Sequence, residues 1–177
     1  DSHYYESILT QIQTFRTIRM AKEIERKFLV DDTSFIPLAS SSSRIRQAYI
    51  STNPDSVVRL RIRDSRAYLT VKGRNDGAVR DEWEFEIPAS DAEEMAGRLC
   101  GGFAIDKTRY IVNFEGWEWE IDLFHGRHTG LILAEVEMPS ADCNPPIPPF
   151  IGKEVTGDPR YYNSTLSLQN RPETGDV

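Results

Sequence analysis

The ten residues Ala21–Val30, AKEIERKFLV, place Glu23, Glu25 and Lys27 at every second position. Ile24, Phe28 and Val30 fall on the alternate positions, with Arg26 among them. A two-residue period is that of a β-strand with two unlike faces. On one isolated strand, a face bearing two carboxylates and an ammonium reads as solvated surface. The rest of the chain changes that reading, because it repeats the pattern.

The period returns in RIRQAYIS (Arg44–Ser51), VVRLRIRD (Val57–Asp64), AYLTVKG (Ala67–Gly73) and RDEWEFEIP (Arg80–Pro88). It returns again in DKTRYIVNF (Asp106–Phe114), WEWEIDLF (Trp117–Phe124) and LILAEVEM (Leu131–Met138). With the opening stretch these make eight strands, and a short segment, GKEVT, follows a proline-rich loop. Asn53-Pro54-Asp55 and Asn75-Asp76-Gly77 supply turn chemistry between them. Pro88, which lacks an amide donor, ends the fifth strand. Ser90 with Glu93 reads as a capping box opening a helix that stops at Gly101-Gly102. Asp158 and Pro159 read as N-cap and first residue of a last helix running to about Gln169. Short connections join antiparallel neighbours. Eight of them predict a mainly β domain of the α+β class, a closed or nearly closed barrel, with an open sandwich as the other solution.

One domain is expected over residues 20–169. Residues 1–19 form an N-terminal extension in which Tyr5, Ile8, Ile12 and Phe15, at helical spacing, predict a short amphipathic helix; Met20 reads as the natural start. Residues 170–177 read as a disordered tail. The 177 residues, 39% hydrophobic and 28% charged, suit one globular core. A formal net charge of −7 argues against a general affinity for nucleic acid or anionic membrane. No apolar run approaches the length of a membrane span. Cys100 and Cys143 give neither a disulfide framework nor metal-ligand spacing, so a cytoplasmic setting is the default. His125 and His128 read as loop residues, and with His3 they do not form a metal pattern. Dimerisation through an outer apolar face is compatible with the pattern.

The charges are sorted by sign. One strand carries Arg59, Arg61 and Arg63; the next Thr70 and Lys72; the next Arg80, Glu82, Glu84 and Glu86. Lys107 and Arg109 follow, then Glu118, Glu120 and Asp122, then Glu135 and Glu137. Same-face neighbours on a strand lie about 7 Å apart. Two like charges at that distance repel by about 0.6 kcal/mol in water and about 2.4 kcal/mol at an effective dielectric of 20. A randomly solvated face would not accumulate such blocks, whereas a face with oppositely charged partners would. Carboxylate clusters hold hard divalent cations, and arginine and lysine rows hold phosphate oxygens. Both on one surface describe a metal–polyphosphate site.

The succession of ExExK (Glu23, Glu25, Lys27), RxRxR, TxK, ExExE, KxR, ExD and ExE, closed by GKEVTGDPRYYNSTL, resembles the CYTH superfamily of triphosphate tunnel metalloenzymes, in its compact bacterial form. The resemblance covers about Ala21–Leu168. It implies an eight-stranded antiparallel tunnel with a charged interior and a few covering helices, which hydrolyses a small-molecule triphosphate with Mg²⁺ or Mn²⁺. Carried over residue by residue, it implies phosphate contacts from Lys27, Arg59, Arg61, Lys72 and Arg109. It implies metal ligation by Glu23, Glu25, Glu135 and Glu137, with Glu82, Glu84, Glu120 and Asp122 lining an acidic wall. Lys107 stands where the family places a lysine that activates the attacking water. Tyr49 is read as a tunnel residue or a wall packing residue, and Arg63, Arg80, Glu86 and Glu118 as rim residues. Inorganic tripolyphosphate is the leading substrate. Thiamine or nucleoside triphosphate hydrolysis, class IV-type adenylate cyclase activity and a non-catalytic polyphosphate-binding module are the alternatives.

Overall fold

The structure, a computed structural model, describes residues 17–76 and 78–168. The strands are β1 (Thr17–Val30), β2 (Ser41–Ser51), β3 (Val57–Arg63), β4 (Arg66–Asp76), β5 (Val79–Ile87), β6 (Ile105–Phe114), β7 (Trp117–Phe124), β8 (Ile132–Glu137) and β9 (Ile151–Glu154). Helix α1 spans Ala89–Leu99 and the one-turn α2 spans Asn163–Leu166. The first eight strands close in the order β1-β8-β7-β6-β2-β3-β4-β5, with β5 pairing back onto β1. All pairs are antiparallel, as the short connections require. The closed barrel is therefore the solution adopted, not the sandwich. β1 makes this closure by dividing its length: Thr17–Ile24 pairs with β5, and Glu25–Leu29 pairs with β8. β9, the GKEVT segment, pairs with β1 at Phe28 and Val30, beyond the reach of β5.

Register explains why the charges come in blocks. Residues directly opposite on neighbouring strands share a face. Thr70 lies between Arg59 and Glu84, and Lys72 opposes Glu82. Arg109 opposes Asp122, Glu120 opposes Glu135, and Lys27 opposes Glu135 in turn. At Lys72–Glu82, Arg109–Asp122 and Lys27–Glu135 opposite signs thus meet across the sheet and offset the same-strand repulsion, whereas Glu120–Glu135 and Glu25–Glu137 set carboxylates against each other.

With charge inside, the apolar faces point outward and are covered. Ala92 and Ala96 of α1, both buried, pack on Leu60, Ile62, Ala48 and Ala67. Phe35 and Phe150, from the loops after β1 and before β9, bury Val112, Trp119, Ile121, Ala134 and Val136 with Phe28. Phe28 and Trp119 meet at a ring distance of 5.5 Å and Phe35 and Phe150 at 5.9 Å, within the range of favourable aromatic pairs. A third cluster sits at one end, where the inward rows turn from charged to apolar at Ile105, Phe124 and Leu133. Val155, Tyr161 and Leu166 pack onto them.

Three expectations are corrected. The opening strand, read as Ala21–Val30, is longer: β1 begins at Thr17. Helix α1 begins at Ala89 and has no capping box. Extended Pro88 (ψ 137°) is its N-cap, so Ser90 already lies inside the helix, and Glu93 pairs instead with Arg46 at 2.5 Å. The last helix is broken: a 3-10 turn, Pro159–Tyr161, is followed by extended Tyr162 (ψ 134°) before α2. Asp158 does act as N-cap, accepting from the Arg160 amide at 3.0 Å. His128 occupies a short turn as expected of a loop residue, but it is fully buried. The helix expected before residue 17 and the tail after 168 lie outside the described residues. No helix among the described residues is long and apolar enough to cross a membrane.

Candidate active site

The inward rows enclose a cavity of about 340 Å³. Among the described residues eight cationic side chains line it: Lys27, Arg59, Arg61, Arg63, Lys72, Arg80, Lys107 and Arg109. Seven acidic ones face them: Glu23, Glu25, Glu82, Glu84, Glu120, Glu135 and Glu137. Every site residue expected from the sequence is thus brought to one cavity, except Asp122, which lies behind the lining with 1% exposure and grips two of its cations. Arg63 and Arg80 also reach the cavity. Glu86 does not; it continues the row of Glu82 and Glu84 past the lining, where it is partly exposed and pairs with Arg66, and Glu118 is exposed outside the lining.

The cations are held in three groups. On the β6–β7–β8 wall, the Arg109 guanidinium donates from Nε to Asp122 Oδ1 and from Nη2 to Asp122 Oδ2, both at 2.7 Å, a planar fork on a carboxylate. It reaches Glu135 at 3.0 Å and donates also to Glu120. Lys107 Nζ donates to Asp122 Oδ2 at 2.5 Å and to Asn163 Oδ1 at 3.3 Å. On β1, Lys27 Nζ lies 2.9 Å from Glu135 and 3.8 Å from Glu25. On the β3–β4–β5 wall, Arg61 Nη2 sits 2.9 Å from both Glu84 oxygens, Thr70 bridges Glu84 and Arg59, and Lys72 spans Glu23 at 2.7 Å and Glu82 at 2.6 Å. Buried charge is tolerated only when partnered in this way. Two donors are not: the Nε–H groups of Arg59 and Arg61 are buried and without a partner among the described residues.

Burial and pairing move the protonation equilibria in opposite directions. Burial pulls the Lys107 ammonium down to about 8; Asp122 resists this and Arg109 assists it. Burial, with Glu135 and Glu23 nearby, pushes the Glu25 carboxyl up to about 8, while Lys27 and Lys72 oppose the rise. Glu135 is buried too, but Lys27, Arg109 and Lys107 more than reverse the effect and hold it well below the usual carboxylate range. Burial, with Arg59 beside it, lowers Arg61 to about 10. Perturbed groups of both signs in one cavity mark a site built for charge chemistry.

Sequence reasoning missed the C-terminal contribution. Thr156, Gly157, Tyr162, Asn163 and Ser164 all reach the cavity, as do Gln47 and Asn75. Tyr49 lines it as well, accepting from Gln47 Nε2 at 2.9 Å. Tyr162 accepts from Asn75 at 2.9 Å and lays its ring 5.8 Å from Lys27 Nζ. The GDPRYYNSTL motif was visible, but nothing periodic in it marks which residues turn inward.

The donors suit a hard divalent cation in kind. Glu25 on β1 directly opposes Glu137 on β8, with Glu135 two residues along the same row, while Glu23 precedes Glu25 in its row and pairs across to Arg80 of β5. All are oxygen donors. Glu25 carries the least compensated charge of the buried carboxylates, a cost that an adjacent cation would relieve. Among the described residues they are not gathered into a ready-made cage.

A closed antiparallel barrel with facing cation and carboxylate rows defines a tunnel domain with a charged interior. The chain belongs to the CYTH domain family, whose profile matches residues 21–163. An inorganic triphosphatase of Acetivibrio thermocellus is 46% identical over 147 residues, which cover 83% of this chain and 94% of that protein. An inorganic triphosphatase of Nitrosomonas europaea is 37% identical over 150 residues, covering 82% and 97% respectively. A crystal structure of an inorganic triphosphatase superposes with a TM-score of 0.59 at 33% identity, covering 85% of this chain and 100% of that one.

Proposed function

We propose that this chain hydrolyses inorganic tripolyphosphate to pyrophosphate and orthophosphate inside the barrel. The carrying observation is the pair of buried, unpartnered Nε–H donors on Arg59 and Arg61, which line a cavity already furnished with facing carboxylates. An unsatisfied buried guanidinium donor calls for an acceptor, and phosphate oxygens match its geometry. The 46% and 37% identity to inorganic triphosphatases favours the inorganic substrate over thiamine and nucleoside triphosphates and over cyclisation.

Lys27, Arg59, Arg61, Lys72 and Arg109 hold the phosphate oxygens, exchanging part of their carboxylate contacts for the substrate. Glu82, Glu84, Glu120 and Asp122 set the pose of those cations. Glu23, Glu25, Glu135 and Glu137 hold a divalent cation, Mg²⁺ or Mn²⁺. When bound, that cation neutralises phosphate charge and lowers the pKa of a coordinated water. The lining itself is close to electrically neutral, with eight cations against seven carboxylates, so a polyanion entering alone would bring uncompensated charge.

Lys107 accepts the proton of the attacking water. Its pKa of about 8 leaves a usable fraction of neutral amine near neutral pH. The water oxygen bonds to a phosphorus, the phosphoanhydride bond breaks, and pyrophosphate leaves. The protein's share is positioning and charge stabilisation, which suits a phosphoryl transfer with little covalent chemistry.

The test is orthophosphate release from tripolyphosphate, ATP and thiamine triphosphate, each with Mg²⁺, Mn²⁺ or chelator. Metal-dependent release with tripolyphosphate preferred is the expected result. Preference for an organic triphosphate would reassign the substrate. Absence of release from all three, with cyclic AMP formed or with binding alone, would overturn the hydrolase reading.

A further inference from the structure

The ammonium of Lys107 is held from two sides by chain elements that are distant in sequence. Asp122 Oδ2 on β7 lies 2.5 Å from Nζ, and Asn163 Oδ1, the first residue of α2, lies 3.3 Å from it. A neutral amine has two N–H bonds and one lone pair. With both N–H groups given to Asp122 and Asn163, the lone pair is the remaining tetrahedral position, and Lys107 lines the cavity.

Helix α2 is well placed to hold that contact. Its four residues are pinned at the far end, where the His128 Nε2–H donates to the Leu166 carbonyl at 2.8 Å. Leu166 itself is buried against Phe124, Leu133 and Tyr161. Just ahead of α2, Val155 donates to the Lys27 carbonyl at 2.8 Å and Tyr162 is held by Asn75 at 2.9 Å. Asn163 is thus presented from an anchored segment rather than a free loop.

We infer that Asn163 is a positioning residue for the reaction: it holds Lys107 Nζ so that the amine's lone pair is turned toward the water site in the cavity. This rests on the hydrolase reading above. Among the described residues Asn163 is the uncharged hydrogen-bond acceptor for Nζ, which also donates to charged Asp122 and lies 5.4 Å from the centre of the Phe124 ring. The charged or titratable groups around Lys107 are Asp122 from β7, Glu135 from β8, Arg109 from its own strand and Tyr49, which lines the same cavity from β2. Replacing a neutral acceptor by an ionised one therefore changes the proton affinity of the amine without altering those neighbours.

The experiment compares wild type, Asn163→Ala and Asn163→Asp by tripolyphosphate turnover across pH and by thermal melting. Asn163→Ala is expected to lower kcat by about tenfold or more while KM changes little, the signature of a contact that matters in the transition state. Asn163→Asp places a second carboxylate on the ammonium, so the acidic limb of the kcat profile moves upward by about one pH unit. A role confined to folding would lower the melting temperature or raise KM and leave the limb in place; that result would overturn the inference while the hydrolase reading stood. An active wild type with both variants unchanged would do the same. A wild type without turnover would remove both together.

Discussion

At the scale of single residues, two groups are brought to a pKa of about 8 from opposite directions by the same cause. Burial disfavours the charged form of each, which lowers the Lys107 ammonium and raises the Glu25 carboxyl. For Lys107 the neutral fraction grows with pH, so kcat should climb through about pH 8 and flatten above it. Lys107→Arg keeps the charge but cannot release a proton in this range. It is expected to lose activity as fully as Lys107→Ala, by about 10²-fold or more, in a kcat measurement at saturating substrate. For Glu25 the argument concerns stability. Its folded pKa lies above the unfolded value, so the native state binds the extra proton between pH 4.5 and about 8, and stability falls as pH rises through that window. In metal-free buffer Glu25→Gln should therefore melt several degrees above wild type at pH 9 and close to it below pH 4.5. Equal melting temperatures at pH 9 would contradict the burial argument. The inward rows were legible in the sequence because strand period and sign repeat together. Asn163 was not, since a neutral residue beside a helix break carries no periodic or electrostatic signature.

Among the elements, the barrel inverts the usual arrangement and places its core outside. The apolar faces of β3 and β4 are covered by α1 through two buried alanines, Ala92 and Ala96, where only a small side chain fits between helix and sheet. Ala92→Leu should overpack this contact and cost about 1–3 kcal/mol. The melting temperature should fall by roughly 2–4 °C per kcal/mol, with kcat at 25 °C unchanged, because the charged rows lie on the other side of the sheet. A loss of turnover without a loss of stability would mean that α1 communicates with the site. Strand existence and order could be read from alternation and turn residues. The extent of β1 could not, because Thr17–Ile24 is defined by pairing with β5, a contact about sixty residues away in sequence. The break at Tyr162 escaped for a related reason: a local N-cap signal was correct at Asp158, but tertiary contacts to Asn75 and Lys27 stop the helix three residues later.

For the molecule as a whole, the closed sheet turns sequence order into electrostatic order. A net charge of −7 belongs to the chain, whereas the cavity lining is nearly balanced, so binding of a polyanion depends on the interior rather than on overall charge. Charged inward rows give way to apolar ones at Ile105, Phe124 and Leu133, where the C-terminal segment packs, so the same strands that build the site also seat the elements that complete it. That closure joins residues from both ends of the chain, and it is why the motif list alone could place the rows but not their cap. The most direct measurement is orthophosphate release from tripolyphosphate by wild type and by the Glu23→Ala/Glu25→Ala double variant, with Mg²⁺ or Mn²⁺ titrated from zero. Turnover in the wild type that needs the metal, and that the folded double variant loses at every metal concentration, is the predicted result. Undiminished turnover by the double variant would contradict a metal site on β1, and absence of turnover in the wild type would contradict the proposed reaction itself.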